Sequence, residues 1–151
     1  MPLRMYILSQ ADKGSHGGFR CPLARKRANR RRGNRWFCQF QYVVFCGFGE
    51  PTERIDVLLE VAAYVKKTYN KPTRINTNGL GNLVNGRDIT PELKGLIDTV
   101  SISLNTPNKE RYYELTRSKF GIGSFDAMID FAKEAVKYVP HVVMTTVATT
   151  I

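Results

Sequence analysis

The run Val43-Val44-Phe45-Cys46-Gly47-Phe48-Gly49-Glu50-Pro51-Thr52 constrains this chain more than any other stretch. Its four leading apolar residues predict a short buried strand. Gly47 and Gly49 then let the backbone turn sharply with no Cβ in the way, and Pro51 and Thr52 open a helix. A strand, a glycine turn and a helix start leave Glu50 and several backbone groups facing the strand's carboxyl end, where α/β folds bind ligands. A pair of glycines between a strand and a helix also occurs as a plain connection, so the remaining strands must be placed before a site is assigned.

Downstream the pattern alternates. Ile55, Val57, Leu58, Leu59, Val61, Ala62, Val65 and Tyr69 recur at helical spacing with Glu60, Lys66 and Lys67 outside the stripe. Lys71-Pro72 ends that helix. Thr73 to Thr77 reads as a second strand running into the turn pair Asn78-Gly79. Asp88 to Leu96 predicts a short helix with Thr90 as its cap and Pro91 at its first position. Val100 to Leu104 is a third strand ending at Asn105. Thr106-Pro107 leads into a helix over Asn108 to Leu115, and Ser124 caps a longer one carrying Phe125, Met128, Ile129, Phe131, Ala132, Ala135 and Val136. Pro140 closes it, and His141 to Ala148 is a fourth strand. Strands separated by helices imply βαβ units with right-handed crossovers and a parallel sheet. The expected fold is α/β, a partial TIM-like (βα) barrel of about four parallel strands over residues 42–151.

The first 41 residues have a different composition. Of the net charge of +10, residues 1–41 carry +9, from ten Lys or Arg residues against the single acid Asp12. The remaining 110 residues hold 13 basic and 12 acidic groups. Arg25-Lys26-Arg27 and Arg30-Arg31-Arg32 resist packing, so disorder is the expectation for 1–41. Trp36, Phe37 and Phe40 beside these arginines offer a nucleic-acid arm as one function, which would make the chain an α/β nucleic-acid-binding module. Cys21, Cys38 and Cys46 match neither a zinc ribbon nor a CxxC redox pair, and no thiol spacing here builds a metal site. No apolar run reaches membrane-spanning length and the amino terminus has no signal-peptide pattern, so a cytoplasmic protein without a membrane partner is expected.

In a parallel α/β fold the segments after each strand converge. Here they are Gly47 to Pro51, Asn76 to Gly79 and Ser103 to Asn105. They combine glycine backbone, one carboxylate and several amide or hydroxyl groups, suited to a zwitterionic amino acid joined to a ribose. Each Asn alone is equally explained by turn chemistry.

Gly47-Phe48-Gly49-Glu50-Pro51 resembles the Gly-Gly-Glu-Pro motif of radical S-adenosylmethionine (SAM) enzymes. With Asn-Thr-Asn-Gly-Leu and Val-Ser-Ile-Ser-Leu-Asn following in order, residues 42–151 are similar to part of a radical SAM barrel, most of all to the small proteins associated with the TatD nuclease family. The resemblance implies that Gly47, Phe48, Gly49, Glu50 and Pro51 hold the methionine amino group of SAM. It implies that Asn76, Asn78, Ser101, Ser103 and Asn105 line the pocket. It also implies a [4Fe-4S] cluster that cleaves SAM to a radical, an electron donor for the intact enzyme, and a small-molecule or nucleic-acid-related substrate set by later strands.

The family's cluster ligands, three thiolates spaced CxxxCxxC after the first barrel strand, are absent from this sequence. By the same resemblance the first strand and the strands after Ile151 are expected to be missing as well, so the chain reads as an enzyme fragment without catalytic or metal residues, inactive as translated and with open barrel edges. The genetic code offers a reason. Read one nucleotide later, Met1-Pro2 (ATG CCN) must encode Cys, Met5-Tyr6 (ATG TAY) must encode Cys, and Leu8-Ser9 permits a third at the family's spacing. Residues 1–41 are therefore read as an out-of-frame translation of the cluster loop.

Overall fold

A computed structural model describes residues 5–8, 19–20, 41–47 and 49–146. Its strands are β1 (Met5–Leu8), β2 (Phe19–Arg20), β3 (Val43–Gly47), β4 (Thr73–Thr77), β5 (Thr99–Asn105) and β6 (His141–Thr146). The helices are α1 (Ile55–Tyr69), α2 (Gly81–Asn85), α3 (Lys109–Thr116) and α4 (Ser124–Ala135), with 3-10 turns at Pro51–Arg54 and Thr90–Leu93. All six strands join one sheet in the order β2-β1-β3-β4-β5-β6. β3 to β6 are parallel, with Phe45 opposite Ile75, Ile75 opposite Val100, and Val100 opposite Val142. Four parallel strands with flanking helices thus make the wall of a partial TIM-like barrel, as the alternation of elements predicts. Among the described residues no helix is long and apolar enough to cross a membrane.

β1 departs from that pattern. It runs antiparallel to β3, with Met5 opposite Gly47 and Leu8 opposite Val44, and pairs on its other side with β2. A barrel strand would lie there parallel. Met5–Leu8 and Phe19–Arg20 belong to the segment 1–41 that the charge pattern assigns to disorder. Most of that segment, including Cys21, Cys38 and the arginine runs, lies outside the described residues.

Side-chain alternation along the strands explains which face is covered. Val43 and Phe45 of β3, Ile75 of β4, and Val100 and Ile102 of β5 are buried with Ile55, Leu58, Ala62 and Val65 of α1 and Met128, Phe131 and Ala135 of α4. Fully burying one of the larger of these contributes about 2 to 3 kcal/mol. Tyr112 of α3 packs edge-on against Phe125 of α4, with ring centroids 5.6 Å apart. The alternate residues, such as Cys46, Asn76 and Ser103, face away from this helical layer and are exposed or half-buried. β6 is exposed along most of its length, with Val143 and Met144 reaching solvent.

Three local expectations change. The helix expected over Asp88 to Leu96 shrinks to the turn Thr90–Leu93, because Gly95 takes φ +74° and turns the chain away. Thr90 is the first residue of that turn rather than its cap; Asp88 accepts hydrogen bonds from the Thr90 N–H at 3.0 Å and hydroxyl at 2.8 Å. Ser124 likewise begins α4 instead of capping it, its hydroxyl donating to the Gly121 carbonyl at 2.7 Å. α2 has no counterpart in the sequence pattern. It starts where the Asn78 side chain accepts from the Leu80 N–H at 2.9 Å, an Asx turn that converts the Asn-Gly bend into a helix start.

Candidate functional site

At the carboxyl end of β3 the chain turns through Gly49, whose φ of +100° is open to glycine and strained for other residues. The next residue, Glu50, is only 8% exposed and makes four hydrogen bonds. Oε1 accepts from the Thr52 N–H at 3.1 Å, the Thr52 hydroxyl at 2.7 Å and the Thr77 hydroxyl at 2.6 Å. Oε2 accepts from the Asn78 N–H at 2.8 Å. Thr77 also accepts from the Gly79 N–H at 3.0 Å. One carboxylate therefore caps the turn Pro51–Arg54 and ties the end of β3 to the end of β4. None of its partners is a cation. Burial, and then the nearby Glu50 charge, push the Tyr112 phenol above its ordinary range, which puts that side chain within electrostatic reach of the knot.

Beside the knot lies a cavity of about 480 Å³ at the sheet's carboxyl edge. β3 and the turn after it contribute Cys46, Gly47, Gly49, Glu50 and Glu53. β4 and β5 contribute Asn76, Thr77, Asn78 and Ser103. The two asparagines are oriented from behind. Asn76 Oδ1 accepts from Arg74 Nε at 2.9 Å, and Asn78 Oδ1 is occupied by the Leu80 N–H. Both bonding partners are obligate donors, so the oxygen of each amide must face them and the NH₂ group is left over. The cavity thus offers amide donors, a hydroxyl, glycine backbone and the exposed carboxylate of Glu53.

The sequence profile of the radical SAM superfamily matches residues 35–150. The chain belongs to the radical SAM superfamily. No curated protein and no solved structure gives a significant match.

Of the positions that the radical SAM resemblance points to, Gly47, Gly49, Glu50, Asn76, Asn78 and Ser103 line this cavity. Pro51 does not; it is buried in the turn that Glu50 caps. Ser101 sits two residues below Ser103 on β5, 5% exposed and opposite Asn76 in register. Asn105 ends β5 at φ +62°, beside the register shift against β6. Neither lines the cavity. Phe48 lies outside the described residues. Sequence reasoning set Cys46 aside as no ligand, included Thr77 only within the segment Asn76 to Gly79 without a role of its own, and did not single out Glu53. Strand alternation could have found Cys46, which shares a face with Asn76, and the turn after Pro51 could have brought in Glu53; nothing local marks Thr77, whose role depends on a partner 27 residues away.

SAM and its superfamily partner cluster fare differently against these residues. The donor set of the cavity suits an amino acid linked to a ribose, and a Cβ built on Gly49 would meet nothing within 4 Å, so the turn is open beside it. The described residues provide no site for the cluster. Among the described residues no group of three His, Cys, Asp or Glu side chains could hold a metal ion, and the chain's three cysteines are spaced 17 and 8 residues apart. Thiolates holding a [4Fe-4S] cluster must all reach one site.

Proposed function

We propose that this chain is a SAM-binding radical SAM domain that binds its ligand at the carboxyl edge of β3 to β5 but does not assemble a [4Fe-4S] cluster on its own cysteines, and so leaves SAM uncleaved. The observation that carries this reading is the cavity in which Gly47, Gly49, Asn76, Asn78 and Ser103 come together, inside the span that the superfamily profile matches. In the proposed complex the backbone of the glycine turn lies along the methionyl group, while Asn76, Asn78 and Ser103 donate to ligand oxygens. The substrate is a further molecule whose class these residues do not select.

The missing thiolates are attributed to the reading frame. In this reading the out-of-frame cysteines at codons 1, 5 and 8 belong to the intact gene's cluster loop, and the arginines of residues 1–41 have no binding role. Isothermal titration of the full chain with SAM, paired with iron and sulfide analysis after anaerobic reconstitution, tests the proposal. Saturable SAM binding without stoichiometric iron supports it. Absence of SAM binding overturns the ligand, and a stoichiometric cluster overturns the inactivity. Resequencing the gene across the first 42 codons tests the frame: an open shifted frame spelling CxxxCxxC is expected, and a stop codon within it would sink the explanation.

A further inference from the structure

Two carboxylates line the cavity, and they are in opposite states. Glu50, the acid of the glycine motif, is buried with both oxygens engaged by Thr52, Thr77 and Asn78. Turning it toward a ligand would strand those buried donors, each of which costs about 1 to 3 kcal/mol when left unsatisfied. Glu53, one turn further on, is exposed on the cavity wall, and its side chain has no hydrogen bond or ion pair among the described residues. Its backbone N–H is held by the Glu50 carbonyl at 3.1 Å, so the knot that immobilises Glu50 also places Glu53.

The rest of the wall has the complementary polarity. The amides of Asn76 and Asn78 have their oxygens committed to Arg74 and to the Leu80 N–H, so they present donors. A ligand group that matches donors on one wall and a lone carboxylate on another carries an acceptor and a cation together. The α-amino acid end of SAM is such a group.

We infer that Glu53, and not Glu50, is the carboxylate that receives the ligand's α-ammonium group, and that Glu50 is a positioning residue holding the turn on which Glu53 stands. The inference rests on the SAM-binding reading above. It makes recognition of the amino group a side-chain contact three residues beyond the motif acid, made by an exposed residue with no side-chain partner among the described residues.

Titration calorimetry of the full-length wild type and Glu53→Gln with three probes decides it: SAM, S-adenosylhomocysteine, which keeps the ammonium but lacks the sulfonium, and 5′-methylthioadenosine, which lacks both. A charge-assisted hydrogen bond of this kind corresponds to a loss of about tenfold or more. Glu53→Gln is expected to weaken SAM and S-adenosylhomocysteine by that factor and to leave methylthioadenosine unchanged. Weakening of SAM alone would assign Glu53 to the sulfonium and overturn the inference, as would equal weakening of all three or of none. If the wild type binds SAM and Glu53→Gln binds it equally well, only the role of Glu53 falls. If the wild type binds no probe, the SAM-binding reading falls and takes this inference with it.

Discussion

The two ends of the sheet are each fastened by one carboxylate, and the two are fastened differently. At the carboxyl end, Glu50 is held by hydroxyls and backbone N–H groups alone. At the amino end, Asp98 accepts from Lys66 Nζ at 2.6 Å, from the Thr73 N–H at 2.7 Å and from the Thr73 hydroxyl at 3.1 Å. Its backbone extends the tie, donating to the Thr73 carbonyl at 3.0 Å and accepting from the His141 N–H at 3.1 Å. Asp98 therefore joins the starts of β4, β5 and β6 as a neutralised pair, whereas Glu50 joins the ends of β3 and β4 with its charge uncompensated by any described cation. In a βα barrel the amino-terminal face serves stability and the carboxyl-terminal face serves chemistry. Here the same device, an acid bridging strand ends, fastens both faces, with a lysine as partner at the amino end and only hydroxyls and backbone N–H groups at the carboxyl end.

The comparison breaks first if Glu50 proves dispensable. Glu50→Ala removes the acceptor for four donors, three of them buried, and should destabilise the fold by about 3 kcal/mol or more, since each buried donor left unsatisfied costs about 1 to 3 kcal/mol. Urea unfolding would show this as a lower midpoint at constant slope; a change under about 1 kcal/mol would mean that the knot is not a fastening. Thr77→Val tests one strand of the same knot. It keeps the shape, deletes the donor to Glu50 and the acceptor for Gly79, and should cost about 1 to 3 kcal/mol. Thr77→Ser restores the hydroxyl and should recover most of the loss, which a purely steric role would not.

At the other end the expected effect is smaller, because Lys66 and Asp98 are partly exposed, at 26% and 33%. Asp98→Asn should cost about 1 kcal/mol once solvent screening is allowed for, with SAM affinity unchanged. It also carries a pH signature. Burial pushes the Asp98 carboxyl up, but the Lys66 and Thr73 hydrogen bonds and the Lys66 charge outweigh that and hold it below its ordinary value of 3.8. A carboxyl lowered in the folded state contributes stability that is present above pH 3.8 and is lost as pH falls through the folded value. Wild type should therefore lose stability more steeply than Asp98→Asn on acidification below about pH 4. Parallel acid limbs in chemical denaturation would refute the assignment.

How much of this was legible beforehand follows from the range of the interactions. β4 falls on Thr73–Thr77 as the pattern reads, since alternation and the bounding Pro72 and Asn78 are local signals. The site's position was legible for the same reason: parallel strands put their carboxyl ends together whatever the side chains do. What Glu50 bonds to was not legible. Its carboxylate looked ligand-facing because a strand end points outward, yet Thr77 and Asn78 on the neighbouring strand claim it, and strand register is not written in either segment alone. The antiparallel placement of β1 was equally hidden, because four residues carry no signal of which edge they will join.

Arg74 offers the smallest and most discriminating test of the contrast. Its guanidinium donates to Asn76 on the exposed face of β4, where a surface hydrogen bond contributes well under 1 kcal/mol to folding. Arg74→Met keeps the apolar stem and removes the donor, so the unfolding midpoint should barely move. The Asn76 amide, however, loses the only described partner that fixes which of its two ends faces the cavity. If the carboxyl edge is built for recognition, SAM affinity should fall by a few-fold as the amide samples both orientations, with a change in binding rather than in stability. Equal affinity would mean that Asn76 is not a ligand contact and would shift recognition onto Asn78, Ser103 and the glycine turn; a stability loss comparable to that of Asp98→Asn would mean that this end of β4 is fastened for folding after all, and the division of labour between the two ends would not hold.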